Sequence, residues 1–131
     1  MTTHASGPFE VKLNPQTSHE ASLGRMSIDK QYHGDLEAAG KGEMLGMMTA
    51  VKGSAGYVAM ELVSGTLRGR QGTFVLQHSG TMTRGAQQLS VTVVPDSGTG
   101  QLVGLAGTMM IKIEEGGKHF YEFEYTLAEA R

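Results

Sequence analysis

A chain of 131 residues with a formal net charge of −2 has the size of one domain able to bury its own core. Its basic residues are scattered singly, which excludes the electrostatic footprint of a nucleic-acid or anionic-membrane binder. The absence of cysteine excludes disulfides, thiol catalysis and thiolate metal sites, and fits a reducing compartment. The opening residues Met1 to Pro8 lack the basic start and apolar run of a secretory signal, and no later stretch is apolar enough to span a bilayer, so a cytoplasmic location is expected.

Along the chain, apolar and polar residues alternate with a period of two between glycine-rich turns, the pattern of half-buried antiparallel strands. Phe9, Val11 and Leu13 alternate with Glu10 and Lys12, after a lead-in over residues 1–6 expected to be flexible. Met26 and Ile28 alternate with Ser27 and Asp29. A glycine-dotted stretch from Gly34 to Val51 follows, with Leu36 and Ala38 on one face and an undecided register beyond them. Val58, Met60 and Leu62 then alternate with Tyr57, Ala59, Glu61 and Val63. Phe74, Leu76 and His78 form the next apolar face, and Leu89, Val91 and Val93 the one after. Pro95-Asp96-Ser97-Gly98-Thr99-Gly100 is a dense turn signal. Met109, Ile111 and Ile113 lead into Glu114-Glu115-Gly116-Gly117, a hairpin candidate. Tyr121, Phe123, Tyr125 and Leu127 share one face of the last strand.

About eight strands without an amphipathic helix predict an all-β fold: a single antiparallel β-barrel over residues 7–131, with a β-sandwich as the alternative. Closure removes exposed sheet edges, and many glycines suit the bends and close backbone approaches of a small barrel.

Several local strings, among them Asp29-Lys30-Gln31-Tyr32-His33-Gly34-Asp35-Leu36-Glu37, Gly53-Ser54-Ala55-Gly56-Tyr57-Val58-Ala59-Met60-Glu61 and Phe74-Val75-Leu76-Gln77-His78-Ser79-Gly80, resemble the bacterial domain-of-unknown-function 3224 family. Gly42-Glu43-Met44-Leu45 and Pro95-Asp96-Ser97-Gly98-Thr99-Gly100 extend the resemblance from about Phe9 to Leu127. It implies a barrel similar to that of allene oxide cyclase, with a central cavity. It implies no activity, because no residue-by-residue match to that enzyme's active site accompanies it.

Motifs with a known mechanism are missing. Ser27-Ile28-Asp29-Lys30 matches S-x-x-K, but its serine lies in a strand instead of opening a helix. Gly98-Thr99-Gly100 and Gly40-Lys41-Gly42 lack the spacing of dinucleotide or phosphate loops and read as turns. His4, His19, His33, His78 and His119 show no paired ligand spacing, so neither a metal nor a cofactor is expected.

Candidate site residues come from the lumen faces. Met44, Met47, Met48, Met60, Met82, Met109 and Met110 are expected as a flexible interior lining that either fills the core or adapts to an apolar ligand. Tyr121 and Tyr125 need partners for buried hydroxyls. Alternation places Tyr57 and Glu61 on the face opposite Met60, hence outward, unless a bulge within the strand turns one of them in. His78 is the one titratable residue on an apolar face. It is either a neutral core histidine bonded to a carbonyl or to a tyrosine such as Tyr121, or a lumen group with space beside it at Gly80.

Three functions follow. A binding module would hold a small apolar molecule on Met60, Leu76, Tyr121, Tyr125 and Tyr57. An isomerase or cyclase would use His78 or Glu61 as base toward a carbon acid, with burial raising the basicity of the carboxylate. An assembly protein would use outward Tyr57, Val63 and Val94 as an interface. The binding module is the leading expectation, with a small apolar ligand and a homo-oligomer, at least a dimer, as expected partners.

Overall fold

A computed structural model describes residues 2–18 and 22–127. Eight strands follow in chain order: β1 (Thr3–Gln16), β2 (Gly24–Tyr32), β3 (Leu36–Met48), β4 (Ala55–Leu67), β5 (Arg70–Thr83), β6 (Ala86–Val93), β7 (Ala106–Ile113) and β8 (His119–Thr126). Each pairs antiparallel with the next and β8 returns to β1, so the sheet is one closed up-and-down barrel instead of a sandwich. The only helical pieces among the described residues are single 3-10 turns at Gly100–Leu102 and Glu115–Gly117.

Thr3 to Ser6 belong to β1. They pair with Tyr125 to Glu122 of β8, the Arg68 guanidinium donates to the His4 carbonyl at 2.7 Å, and the Ser6 N–H donates to the Asp35 carboxylate at 3.0 Å. His19 lies outside the described residues.

The two ends of the barrel differ. At one end the connection from β6 to β7 folds across the opening. Its Leu102 and Leu105 are buried against Phe74, Phe123 and the rest of the core, while Thr99 and Ser97 side chains accept hydrogen bonds from the Thr73 and Val75 amides at 3.0 Å each. Gly72 permits the plug, because a Cβ there would meet the Thr99 carbonyl oxygen at 2.1 Å. Leu36, Leu67, Phe74, Leu76, Val93, Tyr121, Phe123 and Tyr125 are buried together in this half. The other end, bounded by the end of β1, the start of β2 and the β3–β4, β5–β6 and β7–β8 connections, is where the interior space opens.

Along β4 the alternation runs in the opposite phase to that expected. Ala59, Glu61 and Val63 are buried, while Val58, Met60 and Leu62 are about half exposed on the outer wall. No bulge is involved: β4 pairs without interruption with β3 from Leu67↔Leu36 to Ala55↔Met48 and with β5 from Ala55↔Met82 to Leu67↔Arg70. The register of β3 follows from the same ladder, with Leu36, Ala38 and Met44 on the inward face.

Candidate functional site

In the open half, the inward side chains leave a cavity of about 610 Å³. Its walls are apolar: Val11 and Leu13 of β1, Met26 and Ile28 of β2, Met44 of β3, Leu89 of β6, and Ile111 and Ile113 of β7. Such walls on strands of one closed sheet form a cup with a fixed shape.

The polar groups lie at its floor. Alternation on β2 continues from Met26 and Ile28 to Lys30 and Tyr32, and on β5 from Phe74 and Leu76 to His78. These side chains converge on Glu61 of β4, which is entirely shielded from solvent; Lys30 is 7% and His78 3% exposed. Glu61 Oε1 accepts hydrogen bonds from Lys30 Nζ at 3.0 Å and from His78 Nε2 at 2.9 Å. Its Oε2 accepts from the Tyr32 hydroxyl at 2.5 Å. Lys30 also stands over the Phe9 ring, 5.1 Å from its centroid. Gly40, opposite Lys30 on β3, makes room for the carboxylate, since a Cβ there would come within 2.1 Å of Glu61 Oε2.

Burial by itself would raise the Glu61 pKa, but the hydrogen bond from His78, the charge of Lys30 and the hydrogen bond from Tyr32 outweigh it and hold the carboxyl below its ordinary range. Glu61 is therefore an anion and an acceptor only. This corrects the expectation that burial makes it a stronger base. Tyr32 is pushed the other way, well above the ordinary tyrosine value, by burial and by the negative charge of Glu61, to which it donates.

An acceptor-only carboxylate fixes the role of His78. Its Nε2 must carry the hydrogen of the 2.9 Å bond, so a neutral ring keeps its lone pair on Nδ1. His78 lines the cavity together with Lys30 and Tyr57. The Tyr57 ring covers Gly80, where a Cβ would lie 2.5 Å from it, so the space beside the imidazole is taken by this ring. No hydrogen bond joins the Tyr57 hydroxyl to another described residue, and it is not a buried atom shut off from solvent. Burial and the nearby Glu61 charge raise its pKa, and it stays a neutral donor.

The other expected site residues are elsewhere. Met60 is on the outer wall, 50% exposed. Leu76 and Tyr125 belong to the packed half, Tyr125 stacking on Phe123 at 5.2 Å. Tyr121 is also away from the cup. Its hydroxyl donates to the His33 carbonyl at 2.7 Å and accepts from the Leu36 amide at 2.8 Å, pinning the β2–β3 turn, and burial pushes it up to about 12. It does not touch His78, whose ring partner is Glu61. Val63, expected at an interface, is fully buried. Of the seven methionines expected inside, Met109 is in the core, Met44, Met47, Met48 and Met82 line the cup, and Met60 and Met110 face outward. Lys30 and Tyr32 were missing from the expected site, although the alternation that begins at Met26 reaches both.

Among the described residues no group of three histidine, aspartate or glutamate side chains is placed to hold a metal ion, and no helix is long and apolar enough to cross a membrane. A crystal structure of a protein with unknown function from the DUF3224 family of Shewanella oneidensis MR-1 is 54% identical to the chain, covers 99% of it and 100% of its own length, and has a TM-score of 0.94. No curated protein matches the chain. The model of the family described as protein of unknown function (DUF3224) matches residues 5–125, and on both findings the chain belongs to the DUF3224 family.

Proposed function

We propose that the protein binds a small, largely apolar molecule in the cup, with the polar end of that molecule on the floor formed by Lys30, His78 and Tyr57. The observation that carries this reading is the contrast between the halves of one barrel: one is occupied by a cluster of buried apolar side chains, while the other holds about 610 Å³ of space behind apolar walls. Apolar surface left uncovered in a rigid concavity gains free energy when a ligand displaces its water, at about 25 cal/mol per Å². A few polar groups at the base of such a space set orientation and specificity.

Flexible methionine side chains on the rim and walls favour ligands of varied shape. Nile red, a neutral dye that brightens in apolar surroundings, provides a direct test. Binding with fluorescence enhancement is expected for the native chain. Met44→Trp, which fills the cup, should weaken it at least tenfold, whereas Met60→Ala on the outer wall should leave it unchanged. Equal binding by all three proteins would place the dye outside the cup and contradict the proposal.

A further inference from the structure

The floor of the cup has the makings of an acid–base site, and its charge indicates the kind of molecule it acts on. Lys30 and Glu61 are buried together at 3.0 Å and neutralise one another. A floor whose one cation is already paired offers little to a carboxylate or phosphate head, since an unbalanced buried charge is costly. It suits a neutral acceptor such as a carbonyl oxygen. Around the space where that oxygen would rest are the Tyr57 hydroxyl, without a partner among the described residues, and His78, whose Nε2 hydrogen is committed to Glu61. Tyr57 and His78 are also near neighbours on the sheet: Tyr57 pairs with Gly80 and Ala59 with His78, so their side chains are diagonal on the inner face of adjacent strands.

We infer that the cup enolises an apolar carbonyl compound, with His78 Nδ1 as the base, the Tyr57 hydroxyl as donor to the developing oxyanion, and Glu61 as the positioning residue that fixes the imidazole through Nε2. The inference rests on the cup being a binding site. In the forward step the Nδ1 lone pair takes a proton from the carbon next to the carbonyl. The C–H electron pair becomes the new C=C bond, and the carbonyl π pair moves to oxygen, where Tyr57 stabilises it by hydrogen bonding. The imidazolium formed is stabilised by the Glu61 carboxylate. In the return step it gives a proton back to carbon, to the same position in simple exchange, or to the far end of a conjugated enolate in a double-bond shift. No electrons leave the pair of molecules and no other reactant is consumed.

The probe is 2-decanone, a neutral ketone with an apolar tail. In D₂O the imidazolium exchanges its proton with solvent, so turnover appears as deuterium incorporation at the two carbons flanking the carbonyl, followed by proton NMR. Displacement of Nile red measures binding separately. The native protein should accelerate exchange at least a hundredfold over buffer. His78→Gln should bind the ketone yet exchange it at the buffer rate, and Tyr57→Phe, which keeps the ring over Gly80, should bind it and exchange it at least tenfold more slowly than the native chain. Binding of 2-decanone with exchange at the buffer rate in the native protein would overturn the enolisation and leave the binding reading intact. Failure of 2-decanone and Nile red alike to bind would overturn both. Native-rate exchange by His78→Gln, or by Tyr57→Phe, would overturn the role given to that residue.

Discussion

Glu61 has no solvent to stabilise its charge, and three donors replace it: Lys30, His78 and Tyr32. Removing one member of such a buried set costs more than the set contributes, because the remaining charge is left without a partner. Glu61→Gln should therefore lower stability by about 3–5 kcal/mol at neutral pH, measured by urea unfolding, and adding Lys30→Met to it should cost little more, the signature of two coupled residues. The same substitution should alter the response to acid. A carboxyl whose folded pKa lies below its unfolded value stabilises the fold above the ordinary carboxylate range, and loses that contribution as pH falls through the folded value. The stability gap between the native chain and Glu61→Gln should thus be widest near neutrality and shrink below about pH 4. A gap that stays constant down to pH 2 would mean that Glu61 is not held as an anion. Lys30 and Tyr32 were legible in the sequence as the continuation of the Met26 and Ile28 face. That they meet Glu61 was not, since their convergence is set by pairing across three strands.

Strand phase explains the residues that were misplaced. On β5 a single apolar face, Phe74 and Leu76 followed by His78, leaves one choice, and the structure has that choice. On β4 both faces are apolar: Val58, Met60 and Leu62 compete with Ala59 and Val63, and the second set carries a glutamate. Counting hydrophobic residues favours burying the first set. The barrel buries the second, because Glu61 finds partners there, and because Gly40 and Gly42 on β3 leave room for β4 to approach closely, a Cβ at Gly42 meeting the Met60 carbonyl oxygen at 1.9 Å. No local pattern within β4 contains that information. Pairing also differs between elements. β4 is joined along its full length to β3 and β5, whereas β6 meets β7 through the single pair Thr92↔Thr108. Amide hydrogen exchange should therefore be slowest in the middle of β4 and fastest, among strand amides, at the β6–β7 seam. Uniform protection around the barrel would refute this ordering.

At the scale of the molecule, the closed all-β barrel was legible from the number of alternating segments and the short glycine-rich turns between them, and the structure bears it out. The difference between its ends was not, because it depends on where the β6–β7 connection folds: the dense turn signal at Pro95 to Gly100 marks a turn, but not that Leu102 and Leu105 close the barrel. That plug occupies one half of the barrel, and the space lies in the opposite half as a cup with a polar floor. The methionines report on this arrangement at no cost in perturbation, being distributed over cup, core and outer wall. With methyl-labelled methionine, titration of 2-decanone should shift the carbon–proton resonances of Met26, Met44 and Met82 in the cup, and leave those of Met60 and Met110 on the outer wall unmoved. Resonances of Met60 and Met110 that move while those of Met26, Met44 and Met82 stay fixed, or no movement at saturating ketone, would contradict the assignment of the cup as the binding site.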